Sequence, residues 1–537
     1  MARHPELGPV VITVIGVGER PSQALVGDHG SPCTTQVERV GTVVGGRRHE
    51  PVRVGGGRRA RPGTGGYVGR MTSRPATLGQ LRDSGWQSVP VKEEVRRNAV
   101  TRIRAGEPLF PGILGFEETV LPQLENAILA GHDVIFLGER GQAKTRMIRS
   151  LVGLLDEWLP IVAGSEINDD PYAPSSRYAR DLVAAKGDET PVEWVHRDTR
   201  YGEKLATPDT SIADLIGEVD PIKVAEGRYL SDELTLHYGL VPRTNRGIFA
   251  MNELPDLAER IQVGLLNVLE ERDVQVRGYK VRLPVDVLLV ASANPDDYTN
   301  RGRIITPLKD RFGSQIRTHY PLDVETEMAI AEQEREPFSS DGMRVAMPDE
   351  LAEVVATISH LARVSPHVNQ RSGVSVRLTV ANHETLLANA TRRSLRLGET
   401  EVVPRTSDLD ALVASTMGKI EVETMDDGRD EVVVENLVKA AVLTVFKQRF
   451  NTGQLAGVVA AFDEGRIVHV GDDVPSAAYV ELIATVPELR EPVGTLIGDD
   501  ESPAAVASAV EFILEGLHLS KRLNKDSAGA RAAYRSR

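Results

Sequence analysis

The stretch Gly138-Glu139-Arg140-Gly141-Gln142-Ala143-Lys144-Thr145 lies between an apolar run, 133–137, and a segment whose apolar residues have helical spacing, 147–152. A glycine-containing turn from a buried strand into a helix lets backbone N–H groups and the helix N-terminus surround phosphate oxygens. In such a loop the lysine neutralises the β- and γ-phosphates, and the hydroxyl that follows it binds Mg²⁺. The pattern therefore predicts a phosphate-binding loop, with Ala143 where a glycine is usual. An ordinary strand, turn and helix is the alternative.

A second apolar run, 247–251, ends in Asn252 and Glu253. The carboxyl ends of parallel strands meet at one edge of a sheet, so we expect both residues near the phosphate loop. Glu253 would polarise an attacking water, whereas the position before it normally supplies a carboxylate for Mg²⁺. Asn252 lacks that charge, so the sequence predicts weakened Mg²⁺ binding. A plain strand end is the alternative reading of this pair.

Three further residues have weaker signals. Asn294 follows the apolar run 287–293 and would orient a water beside the γ-phosphate. Arg311 offers a permanently charged guanidinium that could reach a phosphoryl group from outside its own pocket, although a surface salt bridge is the simpler interpretation. Arg377 opens a predicted helix from which a cation could cross a cleft to the nucleotide, and a solvated helix-end charge is its alternative.

Periodicity along the chain predicts the domains. Strands and helices alternate from residue 110, which indicates an α/β fold with a parallel sheet, and 272–283 alternates like a β-hairpin around Gly278. After Tyr320 helical patterns dominate, at 348–364, 375–394, 406–420 and 431–450. We therefore predict a lead-in, an α/β core, an all-helical second domain, a helical extension and a loose tail, at 71–107, 108–325, 326–450, 451–520 and 521–537.

The first 70 residues differ from the rest in composition. They contain 15 of the 48 glycines and carry a charge of +5, which leaves −19 on the remainder of a chain whose net charge is −14. We predict that this segment is disordered and interpret it as an over-extended start upstream of Met71. The acidic remainder gives little electrostatic support for a protein that coats nucleic acid.

Cysteine, histidine and hydropathy patterns exclude several other classes. The single cysteine, Cys33, cannot form an intramolecular disulfide framework or a thiolate metal cluster. His360 and His367 have no carboxylate or third ligand at a telling spacing, so surface or packing roles are expected for them. The apolar run 9–17 is too short to cross a bilayer, and we expect neither a signal peptide nor a membrane span. These features together predict a cytoplasmic protein.

The order of these elements resembles the magnesium-chelatase I subunit and MoxR-type AAA+ proteins over about residues 108–400. The motifs that carry the resemblance are Phe110-Pro111-Gly112-Ile113-Leu114-Gly115, the phosphate loop, 247–253, 262–271, the hairpin, Asn294-Pro295 and Asp310-Arg311-Phe312. The resemblance implies a P-loop ATPase core with a parallel sheet flanked by helices, a helix-2 insert, a β-hairpin insert and a helical lid. It also implies a ring of six subunits with a nucleotide at each interface.

The same resemblance implies roles for individual residues. Glu253 and Asn252 would be the Walker B pair, Asn294 sensor 1, Arg311 the arginine finger and Arg377 sensor 2. Thr145 and Asn252 would hold Mg²⁺, and ATP would be held by Gly138, Gly141, Gln142, Ala143, Lys144, Thr145 and Arg377. The family further implies a partner with a von Willebrand factor A domain. The segment 166–207, longer than the family core requires, is interpreted as a lineage-specific loop, with an adaptor surface as the alternative.

The favoured function is an ATP-hydrolysing motor that remodels a partner protein, and hydrolysis is expected to be slow because of Ala143 and Asn252. A nucleotide-gated scaffold that does not hydrolyse ATP is the main alternative. A genuine chelatase motor, assisting metal insertion by another subunit, is a further one. An activator of the enhancer-dependent sigma-factor type is disfavoured, because the characteristic Gly-Ala-Phe-Thr-Gly-Ala loop is absent from the sequence.

Overall fold

The computed structural model describes residues 74–220, 222, 225, 233–275, 282–294, 303–336, 342–423, 430–451, 453–463, 465–528 and 531–537. The predicted disorder of the first 70 residues, Gly278 at the hairpin turn and Pro295 after Asn294 lie outside this part of the chain. Within it, no helix has both the length and the hydrophobicity needed to cross a membrane.

The strands, in chain order, are β1 (Val134–Leu137), β2 (Trp158–Val162), β3 (Val192–His196), β4 (Tyr201–Leu205), β5 (Gly217–Val219), β6 (Leu236–Tyr238), β7 (Gly247–Asn252), β8 (Asp273–Gln275), β9 (Arg282–Pro284), β10 (Val287–Ala293), β11 (Ser314–Arg317), β12 (Arg344–Val345), β13 (Glu401–Val402), β14 (Ile467–Gly471), β15 (Leu523–Ala528) and β16 (Arg531–Ser536).

The α-helices are α1 (Leu78–Asp83), α2 (Val91–Ala105), α3 (Val120–Leu129), α4 (Lys144–Ser150), α5 (Arg177–Lys186), α6 (Ile212–Leu215), α7 (Leu240–Arg243), α8 (Glu259–Glu270), α9 (Thr306–Arg311), α10 (Val324–Glu334), α11 (Asp349–Val364), α12 (Arg377–Leu397), α13 (Leu412–Met417), α14 (Asp430–Arg449), α15 (Ala456–Asp463), α16 (Ser476–Thr485), α17 (Arg490–Ile497) and α18 (Pro503–Leu519).

A five-stranded parallel sheet forms the centre of the α/β core, in the order β11-β1-β10-β7-β4. Every residue of β1, β7 and β10 is buried, as expected for parallel strands covered by helices on both faces. One face packs against α2, α3 and α4, and the other packs against α8 and α9. The predicted fold class, a parallel α/β core followed by a helical region, is confirmed.

The strand order brings the predicted site residues to one edge of the sheet. In the parallel register of β1 with β10, Leu137 pairs with Ala293, so Gly138 and Asn294 follow neighbouring strand ends. Strand β7 lies on the other side of β10 and ends at Asn252. The phosphate loop and both other polar strand ends therefore meet at the carboxyl edge, where ligands bind in open α/β sheets.

Two smaller antiparallel pairs extend the core. Strand β8 pairs with β9, which confirms the two sides of the predicted hairpin. The segment 166–207 contains α5, β3 and β4, and β3 pairs with β2 to form a separate two-stranded sheet. This segment is therefore ordinary secondary structure rather than an irregular loop, and its last strand, β4, is an edge strand of the central sheet.

The residues after 320 are mainly helical, but the predicted all-helical second domain contains the paired strands β12 and β13, and the predicted helical extension contains β14. One hydrophobic core joins both sides of the predicted boundary at 450. Side chains of α11 and α14 pack in that core together with α16, α18, β14 and β16. Helix α18 is buried along nearly its whole length, which is typical of a helix at the centre of a domain. The boundary at 450 therefore does not separate two cores.

The predicted loose tail at 521–537 is wrong. Residues Leu523–Ala528 and Arg531–Ser536 pair as antiparallel strands, and β16 also pairs with β14. Leu523 and Tyr534 are buried, and the Tyr534 hydroxyl donates to the Glu515 carboxylate of α18. These contacts order a segment whose composition is polar, because the side chains of Leu523 and Tyr534 complete the core around α18.

Candidate nucleotide site

A cavity of about 680 Å³ lies between the phosphate loop and the start of α12. Its volume is within the usual range for small-molecule sites. Its polar lining comes from the loop residues 140–145 together with Arg146, Glu253, His319, Gln333, Glu334, Arg377, Glu384 and Lys419. Its apolar lining includes Ile113, Leu114, Phe116, Ile330, Val376 and Val380. One cavity thus has cationic side chains and a glycine-containing loop on its polar side and an apolar wall on the other.

The phosphate loop is held in shape by its own side chains. The Gln142 amide oxygen accepts hydrogen bonds from the Glu139 N–H, at 3.0 Å, and from the Thr318 hydroxyl, at 2.7 Å. The Lys144 ammonium donates to the carbonyl oxygens of Gly138 and Glu139, the second at 2.7 Å. A Cβ on Gly138 would overlap Thr318 and Gln142, so this glycine is required by the close approach of those side chains.

Ala143 departs from the usual loop sequence at a position where the backbone favours glycine. Its φ and ψ are 53° and 15°, in the left-handed region. An L-residue in that region is destabilised by about 1–2 kcal/mol. The Ala143 side chain packs against the core beneath α4 while the residue also lines the cavity. The alanine side chain therefore fits at this position, and the destabilisation comes from its left-handed backbone conformation.

The end of β7 is fixed by a network across three strands. The Asn252 amide nitrogen donates to Glu203 Oε1 at 2.7 Å, and its amide oxygen accepts from the Ser292 hydroxyl at 3.2 Å. Glu253 follows with a φ of 53°, and its backbone N–H donates to the same hydroxyl at 3.3 Å. Glu253 lines the cavity, whereas Asn252 is buried and is not among the lining residues.

Glu203, on the edge strand β4, is itself held by two other groups. Arg149 of α4 donates to its two carboxylate oxygens at 2.8 and 3.0 Å, and the Tyr201 hydroxyl donates at 2.9 Å. These hydrogen bonds, that from Arg149 above all, keep the pKa of Glu203 below its ordinary value despite partial burial. A carboxylate therefore lies one hydrogen bond from Asn252.

The structure distributes the other three predicted site residues differently. Asn294 is buried directly after β10, next to the strand that leads into the loop. Arg377 lines the cavity from the first turn of α12. Arg311 lies outside the cavity at the end of α9, where it forms an ion pair with Glu270 and donates to the Pro307 carbonyl at 2.9 Å.

The residues present fit a Mg²⁺ ion that arrives with phosphate oxygens. The part of the chain that the structure describes contains no ready cluster of three acidic, histidine or cysteine ligands. Mg²⁺ is usually held by one or two protein oxygens together with substrate phosphates and waters. Thr145 and Glu253 offer a hydroxyl and a carboxylate at the cavity, and Asn252, directly before Glu253, is buried outside the cavity lining. This donor set is small and carries little charge.

Hydrogen bonds connect the loop to the helical region. The Tyr320 hydroxyl donates to the Arg140 carbonyl at 3.0 Å, and the Arg363 guanidinium lies 4.4 Å from the centre of the Tyr320 ring. Arg363 also pairs with buried Glu327, at 2.6 and 2.9 Å. Glu327 accepts from Thr379 of α12 at 2.6 Å. The helix that carries Arg377 is thereby linked to the loop that carries Lys144.

Comparison with known proteins finds partial matches to this chain. The "Sigma-54 interaction domain" family matches residues 225–308. The magnesium-chelatase subunit ChlI of Nostoc sp. is 30% identical over 250 residues, which are 44% of this chain and 62% of that protein. The chain is related to the AAA+ ATPases of the magnesium-chelatase I type. The magnesium-chelatase 38 kDa subunit of Cereibacter sphaeroides is 28% identical over 245 residues, 43% of this chain and 64% of that one.

The similarity to these AAA+ relatives is partial. The match spans less than two thirds of the length of either relative. Among solved structures, a magnesium-chelatase complex of BchI and BchD is 22% identical and covers 61% of this chain and 98% of that one, with a TM-score of 0.31.

One contact in this AAA+ site was missed by the sequence motifs. Glu203 precedes Asn252 by 49 residues, and the two meet only because β4 pairs with β7. In the parallel register Glu203 is opposite Ala250, so its side chain is on the same face as Asn252 and two residue pairs nearer the strand start. No apolar run marks β4 in the sequence, and its place beside β7 is a property of the fold.

Proposed function

We propose that the chain binds ATP with Mg²⁺ in the cleft between the phosphate loop and α12, and hydrolyses it as an AAA+ motor. The observation that carries the proposal is the convergence of Lys144, Thr145, Glu253 and Arg377 on one cavity that also has an apolar wall. The convergence joins a phosphate loop, a carboxylate and a cation from the helical region. Phosphoryl transfer depends on this kind of positioning and charge stabilisation.

Lys144 and the loop backbone would hold the β- and γ-phosphates. The Lys144 ammonium, which contacts the Gly138 and Glu139 carbonyls, would exchange those contacts for phosphate oxygens. Gly141, Gln142 and the start of α4 would direct N–H groups at the same oxygens. A Mg²⁺ ion beside Thr145 would neutralise charge that develops on the phosphates. The loop therefore binds and orients the substrate.

Glu253 and Asn294 would act on the attacking water. Glu253 lines the cavity, and its backbone conformation is anchored by the Ser292 hydroxyl. Its carboxylate would accept a proton from the water as the water attacks. Asn294, at the neighbouring strand end, would orient that water through its amide. Arg377 would contact the phosphates from α12 and link their loss to movement of the helical region.

Arg311 would act on the nucleotide of a neighbouring subunit. Its position outside its own cavity, in an ion pair with Glu270, favours a role across an interface. An arginine supplied from outside the site stabilises transition-state charge in related phosphoryl transfers. This role requires a ring, for which we propose six subunits as in the family that the sequence resembles.

We further propose that the motor remodels a partner protein with a von Willebrand factor A domain, in the cytoplasm, as MoxR-type proteins do. A motor role in metal insertion into a porphyrin is the second candidate, favoured by the names of the magnesium-chelatase relatives. The two differ in the partner and share the ATPase site. Metal insertion by the purified partner subunits of a chelatase, observed only when this chain is added, would support the second candidate.

The direct test is steady-state ATP hydrolysis with Mg²⁺ by the full chain. We expect turnover that Lys144→Ala and Glu253→Gln both abolish, while Glu253→Gln retains nucleotide binding. Lys186→Ala, an exposed lysine at the end of α5, is the matched control and should leave turnover unchanged. Tight binding by the wild-type chain without turnover would overturn the motor proposal in favour of a nucleotide-gated scaffold.

A further inference from the structure

We propose that Glu203 supplies, through the amide of Asn252, the negative charge that the Mg²⁺ side of the site otherwise lacks. Glu203 would be a positioning residue, since it contacts Asn252 rather than substrate. The inference rests on the proposed function, because it concerns how the same site binds Mg²⁺ with ATP. It adds a residue from an edge strand to a site whose predicted residues come from other strands and helices.

The first step is the state of the Asn252 amide. Its nitrogen donates to Glu203 and its oxygen accepts from Ser292, so both ends of the amide have partners on the neighbouring strands. Asn252 is 7% exposed, and the Glu203 contact fixes the nitrogen toward β4. The amide oxygen therefore points away from β4, toward β10. Loss of the Glu203 carboxylate would remove the group that selects this orientation.

The second step is the charge of Glu203. Its side chain is 22% exposed, and its carboxylate accepts hydrogen bonds from Arg149, Tyr201 and Asn252. The positive charge of Arg149 offsets part of the negative charge of Glu203. Because the Arg149 side chain is 63% exposed, water screens its charge, whereas the contact between Glu203 and the buried Asn252 amide is screened less. A net negative potential is therefore expected on the Asn252 side of Glu203.

The third step is the effect of that carboxylate on the amide. An amide whose N–H donates to a carboxylate is polarised, and its oxygen becomes a stronger acceptor. A group that orients and polarises a metal-side ligand typically changes metal affinity by about 10-fold to 100-fold when it is removed. An Asn–Glu pair can thus replace part of what a single aspartate provides at the end of β7.

The alternative role for Glu203 is purely structural. Its ion pair with Arg149 joins β4 to α4, the helix that begins at Lys144, and such a bridge could simply stabilise the core. A structural bridge would affect nucleotide binding equally with and without Mg²⁺. A group that acts on the Mg²⁺ side would change only the gain in nucleotide affinity that Mg²⁺ provides. The two roles therefore differ in a measurable quantity.

The test is equilibrium binding of a fluorescent ATP analogue to the full chain, in Mg²⁺ and in EDTA. For Glu203→Gln we expect the Mg²⁺-dependent gain in affinity to fall by about 10-fold or more, with affinity in EDTA unchanged. Arg149→Ala is the matched control, because it breaks the bridge to α4 and keeps the acid beside Asn252, and it should retain the Mg²⁺ effect. Melting temperatures of all variants report folding.

The reciprocal double variant E203Q/N252D separates charge from shape. It moves the acid to the strand end and lets the glutamine amide donate to it, so we expect the Mg²⁺ effect to return to the wild-type level or above. Equal losses in Mg²⁺ and EDTA for E203Q, or no loss at all, would overturn the inference and leave the proposed function intact. A wild-type chain that binds no nucleotide in Mg²⁺ would overturn both.

Discussion

Two non-glycine residues of the cleft, Ala143 and Glu253, have left-handed backbones with a φ of 53°. Residues in sparsely populated backbone regions are destabilising and concentrate at functional sites. Both occupy turns that bring polar groups to the cavity, one into α4 and one out of β7. The local strain is therefore consistent with a site that positions a ligand.

Ala143→Gly should stabilise the chain without ligand. Glycine adopts the left-handed region freely, and the relief of about 1–2 kcal/mol exceeds the extra entropy that glycine gains on unfolding, so a net gain of about 1 kcal/mol is expected. Thermal unfolding in the absence of nucleotide measures it. Ala184→Gly in α5, where the helix favours alanine, should instead destabilise by about 1 kcal/mol. A143G that melts at or below the wild-type temperature would contradict the strain argument.

Where the spacing is local, the sequence alone identifies candidate residues that the structure brings to one cavity, and their roles stay predictions. Lys144, Thr145 and Glu253 follow directly from the ends of apolar runs, and all three line the cavity. The contact between Glu203 and Asn252 could not be predicted in this way, because it depends on which strands are neighbours and in what register. The left-handed backbone at Ala143 could not be predicted either, because alanine normally disfavours that conformation.

Helix α11 contains a buried acid whose ionisation opposes folding. Glu350 lies in its first turn and is 2% exposed, and burial raises its pKa to about 7 despite opposing effects from its own backbone N–H and from Arg449. Because the folded chain holds the proton more tightly than the unfolded chain, stability falls as the pH rises from about 4.5 to about 7 and stays lower above that.

Glu350→Gln should therefore stabilise the chain more at pH 8 than at pH 6. The neutral amide removes the cost of ionising a buried acid, which reaches about 3 kcal/mol above pH 7. Melting temperatures of variant and wild type at the two pH values give the difference. Asp349→Asn, at an exposed neighbouring position, should show the same offset at both. A Glu350→Gln offset that does not grow with pH would mean that this acid ionises normally in the folded chain.

Elements were predictable where their periodicity was strong. The long helices α11, α12 and α14 have apolar spacing that the sequence reveals, and the core strands are continuous apolar runs. The hairpin β15–β16 was not predictable, because few of its side chains are buried and its partner β14 lies more than 50 residues earlier. Its order comes from packing on α18, which is a property of the tertiary structure.

At the scale of the whole molecule, the role proposed for Arg311 depends on assembly of several chains. An arginine that acts across an interface leaves each subunit with half of a working site. A mixture of Arg311→Ala and Lys144→Ala chains should therefore hydrolyse ATP faster than either variant alone, because mixed interfaces combine an intact loop with an intact arginine. Glu270→Gln, which loses only the partner of Arg311, should remain active as a single variant.

The mixing experiment tests whether Arg311 acts on the nucleotide of a neighbouring chain. Activity of the mixture no higher than the mean of the separate variants would contradict action between subunits. Full activity of Arg311→Ala alone would show that this arginine has no part in turnover. The resemblance of the motif order implies an assembly, and this stays a prediction because a single chain reveals no interface.

The most direct test of the central claim is a calorimetric titration of the full chain with ATP and Mg²⁺. We expect one site per chain, with Lys144→Ala weakening binding by about 30-fold or more, since it removes a buried cation that pairs with the phosphates. Lys186→Ala should bind as the wild type does. Equal affinity in wild type and Lys144→Ala, or no binding by the wild type, would contradict the assignment of the cleft as a nucleotide site.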